Sequence, residues 1–344
     1  MWGGLPAALR SFSFGFCCYA YQSFPLNPQP LRANPIRMPQ KISRRHFALS
    51  TAFALSALAT STTSAAEPFN RRGQSRLRLS LAAYGFRDYF KDSSHKRDKD
   101  TAIDKQIDLF QFIDYCSENN CPAAELTSYY FPPSPSRDFL LKLKRHAFLR
   151  GIELSGTSVG NTFTHPAGAK RDEQIAYTKT WIDHAALMGI PHIRVFAGDA
   201  EGQPQETAKK NCIAALEECC AYAGEHGVFL GIENHGGIVA EPDALLDIIK
   251  SVQSPWIGIN LDTGNFHTDD PYRDLARCAP YAVNVQLKTE IQAKGKKKEL
   301  SDLPRLVKIL REANYQGYVV LEYEAVEDPY TAVPRILKEL AAIL

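Results

Sequence analysis

Four short stretches in the second half of the chain decide its fold: VFLGIEN (228–234), WIGINLDT (256–263), YAVNVQLK (281–288) and GYVVLEY (317–323). Each stretch is an apolar run of strand length that carries an oxygen-bearing side chain at or near its end. The spacing between successive stretches leaves room for one helix and its two loops. Strands that alternate with helices and end in oxygen donors predict an α/β fold, a (β/α)8 barrel, with a divalent cation at its C-terminal mouth.

Residues 1–66 differ from the rest of the chain in charge and in pattern. They contain six basic residues and no Asp or Glu, and Arg44-Arg45 precedes an apolar stretch (47–59) and a small-residue cleavage pattern that ends at Ala66. This N-terminal extension resembles a twin-arginine signal peptide, so we expect an exported, periplasmic protein. A membrane anchor is the weaker alternative, because the apolar stretch is shorter than the roughly 20 residues that span a bilayer.

The charge balance changes when the signal is removed. The whole chain has a formal net charge of +2, and without residues 1–66 it becomes −4. A negative remainder offers no surface for nucleic acid, so we expect no such partner and no stable membrane span after cleavage. A linker at 67–77 and a barrel at 78–344 match the length of one (β/α)8 barrel, roughly 250 residues. The sequence leaves a homo-oligomer open.

The barrel region divides into eight strand–helix units. Besides the four stretches above, apolar runs predict strands at 79–84, 123–127, 152–157 and 192–196. Amphipathic patterns predict helices at 102–118, 136–150, 171–187, 205–225, 242–251, 271–278, 301–313 and 329–343. Gly151, Gly189, Gly227 and Gly317 each separate a helix from the next strand, as helix C-caps do. The six cysteines after residue 66 form no CxxC pair, which disfavours a zinc ribbon.

The polar side chains of the four stretches all fall on one face. Alternation along a strand directs Asp262, Gln286, Glu322 and Glu233 into the barrel, while their apolar neighbours face the helices. A carboxylate inside a barrel costs several kcal/mol unless it is paired or bound to a cation. One shared cation would satisfy this requirement at all four positions.

These residues also carry a family resemblance. Four motifs resemble the sugar phosphate isomerase/epimerase family, the xylose isomerase-like TIM barrels: GIENH (231–235), LDTGN (261–265), VQLK (285–288) and VLE (320–322). The resemblance implies one divalent metal bound by Glu233, Asp262, Gln286 and Glu322. The family most often has His at the third position, and Gln there gives an all-oxygen set that favours Mn²⁺ or Mg²⁺. Co²⁺, Fe²⁺ and Zn²⁺ stay open, as does loss of the metal.

The activity that the resemblance implies is a metal-dependent sugar isomerase or epimerase. Proton transfer at a carbon beside a carbonyl gives an enediolate, which a divalent cation stabilises. Glu233 and Glu322 would take and return the proton as catalytic residues, in an order that the sequence does not fix. Two alternatives remain: a sugar lyase or dehydratase on the same scaffold, and a non-catalytic exported sugar-binding barrel. Because sugar phosphates are scarce outside the cytoplasm, a free sugar, a keto-sugar or a glycoside fragment is the expected ligand.

Six further side chains are candidates for substrate binding at the mouth. Lys288 would neutralise an anionic oxygen or form a structural ion pair, and Glu125 and Arg194 would pair with each other. The lysine-rich segment 294–298 would attract a phosphate or uronate, or form a solvated loop. The substrate-binding candidates are His235, Asn265, His267, Lys288, Glu125 and Arg194.

Overall fold

A computed structural model of the protein describes residues 66–95, 101–102 and 105–344. The strands are β1 (Arg76–Ala82), β2 (Ala123–Glu125), β3 (Glu153–Ser158), β4 (His192–Val195), β5 (Phe229–Glu233), β6 (Ile257–Asp262), β7 (Ala282–Leu287), β8 (Glu290–Ile291), β9 (Glu299–Leu300) and β10 (Gln316–Leu321). Eight of them close into a parallel barrel in the order β1, β10, β7, β6, β5, β4, β3, β2. Strands β8 and β9 form a separate antiparallel hairpin.

Helices alternate with the barrel strands along the chain. The helices are α1 (Leu109–Glu118), α2 (Arg137–Leu149), α3 (Ala169–Met188), α4 (Gln205–Glu225), α5 (Pro242–Ser251), α6 (Pro271–Cys278), α7 (Leu303–Glu312) and α8 (Pro329–Ile343). Helices α5 to α8 have Pro in the first turn, where its missing N–H is not needed. The predicted (β/α)8 TIM barrel is therefore confirmed. The signal-peptide prediction concerns residues 1–66, of which all but Ala66 lie outside the described residues.

The interior of the barrel and its outer shell contain different side chains. Ala82, Ala123, Tyr318 and Val320 form a small apolar cluster on inward-facing positions. Outward residues such as Leu261, together with the apolar helix faces, form the large core between the barrel and the helices. Glu233, Asp262 and Gln286 lie at or next to the carboxyl ends of β5, β6 and β7, so the fold places these polar residues at the mouth.

The first predicted helix was wrong at its start. It begins at Leu109 instead of residue 102, because Ile107 pairs with the loop after β1: Ile107 N donates to Tyr89 O and Lys91 N donates to Ile107 O, both at 2.8 Å. Asp108 then caps the helix and accepts from the backbone N–H of Gln111 at 2.9 Å. A nonlocal backbone pairing thus shortens a segment whose side-chain pattern is helical.

One of the four predicted glycine caps was also wrong. Gly189 ends α3 in the left-handed region, with φ 80°. Gly317, in contrast, lies inside β10, where an added Cβ would be 2.5 Å from Tyr315 Oη. Asn314, with φ 49°, takes the left-handed position after α7. Asn314 therefore supplies the left-handed residue after α7 that the sequence pattern predicted at Gly317.

All six cysteines in the described part of the chain are buried and unpaired. Among the described residues, none of the helices combines the length and hydropathy that crossing a bilayer requires. The predicted linker 67–77 runs into β1, which begins at Arg76 because residues 76–81 pair in register with β10.

Candidate active site

The predicted metal ligands lie together at one end of the barrel. Glu233 and Asp262 are the last residues of β5 and β6, Gln286 is next to last in β7, and Glu322 directly follows β10. All four are buried, with exposed fractions of 3%, 0%, 1% and 4% respectively. These four strands are neighbours in the barrel. The period-two alternation therefore directed these side chains to the correct face and end.

Glu233 is held by a cation and an amide. Arg194 Nε lies 2.8 Å from Glu233 Oε2, and Asn265 Nδ2 donates to Glu233 Oε1 at 3.0 Å. Arg194 is itself fixed, because its NH1 donates to Val159 O at 2.9 Å and its guanidinium lies 4.0 Å from the Phe196 ring centroid. The predicted pairing of Arg194 with Glu125 was wrong. Burial raises the pKa of Glu233 to about 7, although Arg194 opposes the shift.

Lys288 lies among the remaining carboxylates. Its Nζ is 3.1 Å from Glu322 Oε2 and 3.4 Å from Asp262 Oδ2, and it also donates to Glu324 Oε2. Burial lowers the pKa of Lys288, but the three carboxylates outweigh burial and raise it overall. Burial raises the pKa of Asp262 to about 8 despite Lys288. Lys288 therefore forms structural ion pairs with carboxylates at the mouth, the second of the two roles that the sequence left open.

Asn234 braces the two strands that carry the acids. Its Nδ2 donates to Asp262 O at 2.9 Å, and its Oδ1 accepts from Asp262 N at 2.8 Å. The Asp262 carboxylate accepts from Gly264 N at 2.8 Å through Oδ1. The position of Asp262 is thus fixed by backbone contacts before any ligand binds.

An amide layer lies beneath the acids and contains Gln286. The Gln286 oxygen accepts from Asn260 Nδ2 at 2.6 Å, and its Nε2 donates to Glu125 Oε1 at 2.9 Å. Asn284 Nδ2 donates to both Glu125 Oε2 at 3.0 Å and Asn260 Oδ1 at 2.8 Å. Burial, and then the charge of Glu322, raise the pKa of the fully buried Glu125 to about 7. Glu125 therefore supports Gln286 from below.

His192 completes this lower layer and is not among the predicted site residues. Its Nδ1 lies 3.0 Å from Ser155 O, so Nδ1 carries the proton, and its Nε2 lies 3.8 Å from Glu125 Oε2. Burial lowers the pKa of His192 to about 4. Only its inward position at the start of β4 could have signalled this role.

The loop residues predicted to bind substrate are more exposed. The His235 ring centroid lies 4.7 Å from that of Phe196, beside Arg194, and Asn265 faces Glu233. His267 Nδ1 lies 3.2 Å from Gln292 O in the loop after β8. His235 and Asn265 thus border the acid cluster, whereas His267 lies over the hairpin.

The fit of these residues to a divalent cation rests on charge and on unsatisfied oxygens. Among the described residues, no set of three or more His, Cys, Asp and Glu side chains converges as metal ligands. Yet Glu233 Oε2 and Asp262 Oδ2 are buried and accept no hydrogen bond, although each lies beside a cation, Arg194 and Lys288 respectively. Gln286 Oε1 keeps one lone pair, because Asn260 uses the other. Hard oxygen donors with surplus negative charge fit a hard divalent ion.

The charge count at the mouth makes the surplus explicit. In the part of the chain that the structure describes, two buried cations, Arg194 and Lys288, face four buried carboxylates. These carboxylates belong to Glu125, Glu233, Asp262 and Glu322. Both cations are already paired, so additional positive charge would have to come from a ligand.

Comparison with known proteins places the chain in a family. Residues 113–342 match the family described as a xylose isomerase-like TIM barrel. No protein of curated function matches the sequence significantly. Among solved structures, a 3-keto-D-glucoside 4-epimerase from E. coli is 15% identical, with a TM-score of 0.61, over 78% of this chain and 100% of that one.

Two further structures share the fold. A D-psicose 3-epimerase from Clostridium cellulolyticum is 14% identical, with a TM-score of 0.56, over 76% of this chain and 89% of that one. A probable 3-DHS dehydratase from Bacillus anthracis is 14% identical, with a TM-score of 0.55, over 77% and 98%. At these identities the likeness shows the fold alone.

Proposed function

This chain belongs to the xylose isomerase-like TIM barrel family, and we propose that it is a metal-dependent sugar isomerase or epimerase. The observation that carries the proposal is the excess of buried carboxylates over cations at the barrel mouth. Such a surplus is costly without a function, because each buried charge must be compensated. Active sites are where such costs are retained.

Epimerisation requires two groups that exchange a proton with carbon on opposite faces of the sugar. Glu233 ends β5 and Glu322 follows β10, and β6 and β7 separate these two strands in the barrel. One carboxylate would remove the proton beside the carbonyl and the other would return it.

The proposed cation ligands are Glu233, Asp262, Glu322 and the oxygen of Gln286. When bound, Mn²⁺ or Mg²⁺ would supply a positive charge that polarises the carbonyl and stabilises the oxygens as negative charge develops. Asn260 would hold the Gln286 oxygen in place, and Asn234 would hold Asp262. Supporting hydrogen bonds of this kind orient metal ligands. Arg194 and Asn265 would keep Glu233 in position for proton transfer.

A dehydratase is the second candidate. The same base and cation would serve, with loss of a hydroxyl instead of reprotonation. One comparison favours it: the B. anthracis structure of the same fold is a probable 3-DHS dehydratase. We also propose export through the twin-arginine signal, which would bring the enzyme to sugars in the periplasm. Export predicts a processed chain that begins near Glu67, measurable by N-terminal sequencing of the periplasmic fraction.

Solvent deuterium exchange tests the proposed function. Protein supplied with Mn²⁺ in D₂O is expected to introduce deuterium into at least one free or glycosylated sugar without loss of water. Glu322→Gln should reduce exchange about 100-fold or more, the usual contribution of a general acid or base. Glu312→Gln is the matched control, because Glu312 pairs with Lys308 at 3.8 Å on the surface. A deoxy-keto product would favour the dehydratase, and no exchange with any sugar would contradict both enzymes.

A further inference from the structure

A side cavity opens beside the acid cluster, and apart from Asn265 its lining has no role in the proposed proton transfer. It has a cavity volume of about 120 Å³, opens to solvent, and lies between the loop after β6, the end of β7 and the β8–β9 hairpin. Lys288 belongs both to the cavity and to the acid cluster. The cavity therefore begins where a sugar held by the acids would end. Its polar side chains include Asn265, His267, Lys288, Glu290, Lys298 and Glu324.

The walls of this side cavity are fixed by backbone contacts. Lys294 N donates to Thr268 O at 2.8 Å, which ties the hairpin loop to the loop after β6. A Cβ at Gly264 would lie 2.8 Å from Lys288 Cγ and 3.0 Å from Glu290 O, so these segments touch without room for a side chain. A cavity between segments packed this closely is preformed, as small-molecule sites usually are.

The charges around the side cavity cancel. Lys288 donates to Glu324, and Lys298 Nζ lies 3.5 Å from Glu290 Oε2. Every cation on the described lining therefore already faces a carboxylate. A phosphate or a uronate would need unpaired cations or N–H donors, so this lining does not favour an anion.

The hydrogen-bond donors and acceptors on the cavity lining can bind the hydroxyl groups of a ligand. His267 Nδ1 donates to Gln292 O, which leaves its Nε2 as an acceptor. The carboxylates of Glu290 and Glu324 have lone pairs left to accept, and Lys298, which pairs with Glu290, has N–H groups left to donate. Donors and acceptors that alternate around a cavity are the recognition chemistry of a polyhydroxyl compound.

We propose that the side cavity is a subsite for an uncharged glycosyl substituent, so that the preferred substrate is a glycosylated sugar instead of a free or phosphorylated one. The proposal rests on the proposed function, because it assigns the reacting sugar to the acid cluster next to the cavity. It concerns the substrate class, which the proton-transfer chemistry does not determine.

Binding and turnover in two matched series test this subsite. The probes are D-fructose, D-fructose 6-phosphate and maltulose, and D-glucose, D-glucose 6-phosphate and maltose, measured by calorimetry with Mn²⁺ and by deuterium exchange. In at least one series the disaccharide is expected to bind about tenfold more tightly than the free sugar, equivalent to about 1.4 kcal/mol, and the phosphate no more tightly than the free sugar. Equal affinities, no binding, or tightest binding of a phosphate would overturn the subsite.

A pair of neighbouring substitutions locates the effect. Ala325 lines the cavity, whereas Val326 does not line it and is 90% exposed. Ala325→Phe should abolish the preference for the disaccharide, and Val326→Phe should leave it intact. A preference that survives Ala325→Phe would place the glycosyl group elsewhere and overturn the assignment. Selective disaccharide binding without exchange would refute the proposed function while it supports the subsite.

Discussion

Replacing Lys288 by Met tests how the acid cluster is balanced. Met keeps the length of the buried side chain and removes its charge. At an effective dielectric constant of about 20, charges 3.1–3.4 Å apart attract by about 5 kcal/mol each. Desolvation offsets much of this attraction, and breaking a buried ion pair on one side costs about 3–5 kcal/mol. We therefore expect Lys288→Met to lower the free energy of unfolding by about 3–5 kcal/mol at pH 8.

The loss should depend on pH in a defined direction. The pKa of Asp262 in the folded protein is raised to about 8, above its unfolded value. The wild type gains stability from this proton as well, but Lys288→Met removes the cation that lowers the pKa of Asp262, so the pKa rises further in the variant. The variant therefore takes up protons at a higher pH than the wild type does, and the penalty shrinks as pH falls. Protonation removes the charge that Lys288 compensated in the wild type.

Urea unfolding in the presence of a chelator, at pH 8 and pH 5.5, measures both effects. Lys298→Met is the matched control: it removes an exposed pair with Glu290 at 3.5 Å, worth about 0–1 kcal/mol. The reasoning is refuted if Lys288→Met costs no more than Lys298→Met, or if its penalty grows as pH falls.

Three further predictions concern the neighbouring layers. The pKa of His192 is lowered to about 4, so its burial costs the wild type about 3 kcal/mol as pH falls from about 6.5 to 4, and His192→Asn should remove this loss in urea titrations. Gly156→Ala would place a Cβ 2.1 Å from His192 Cε1, so we expect a loss of about 1–3 kcal/mol that is smaller in the His192→Asn background. Arg194→Met frees Glu233 from its cation and should lower deuterium exchange at least about tenfold; unchanged exchange would exclude Arg194 from positioning Glu233.

The faces of the strands could be predicted because one rule determines them. Side chains alternate along a strand, so the polar residues of 257–262 and 282–287 had to share a face once the apolar ones faced the helices. The closed parallel barrel then brings Glu233, Asp262 and Glu322 to the same end. Local alternation and chain order suffice for that much of the site.

The hydrogen-bond and ion-pair partners of the inward-facing side chains could not be predicted. Register shifts between Ala124 and Glu125, and between Ile259 and Asn260, change which side chains lie opposite one another. These irregularities carry no sequence signal, yet they accompany the amide layer that holds Gln286. The pairing of Arg194 with its nearest carboxylate likewise depends on which strands are neighbours and on how far each extends.

The starts of elements were the weaker predictions because distant backbone can override a local pattern. The segment before Leu109 has helical periodicity, but its backbone pairs with the loop after β1. Position 314 shows the same limit at a turn, where Asn adopts the left-handed conformation three residues before the glycine that the sequence favoured. The exact start of a helix and the residue used at a turn depend on tertiary contacts, and local conformational propensities carry no information about such contacts.

Calorimetric titration of Mn²⁺ into chelator-treated protein tests the central claim that the surplus carboxylates hold a divalent ion. We predict one ion per chain, weaker binding at pH 6 than at pH 8 because protons with raised pKa values compete, and loss of binding in Glu322→Gln but not in the surface control Glu312→Gln. An absence of saturable binding to the wild type, or equal binding to Glu322→Gln, would contradict the account.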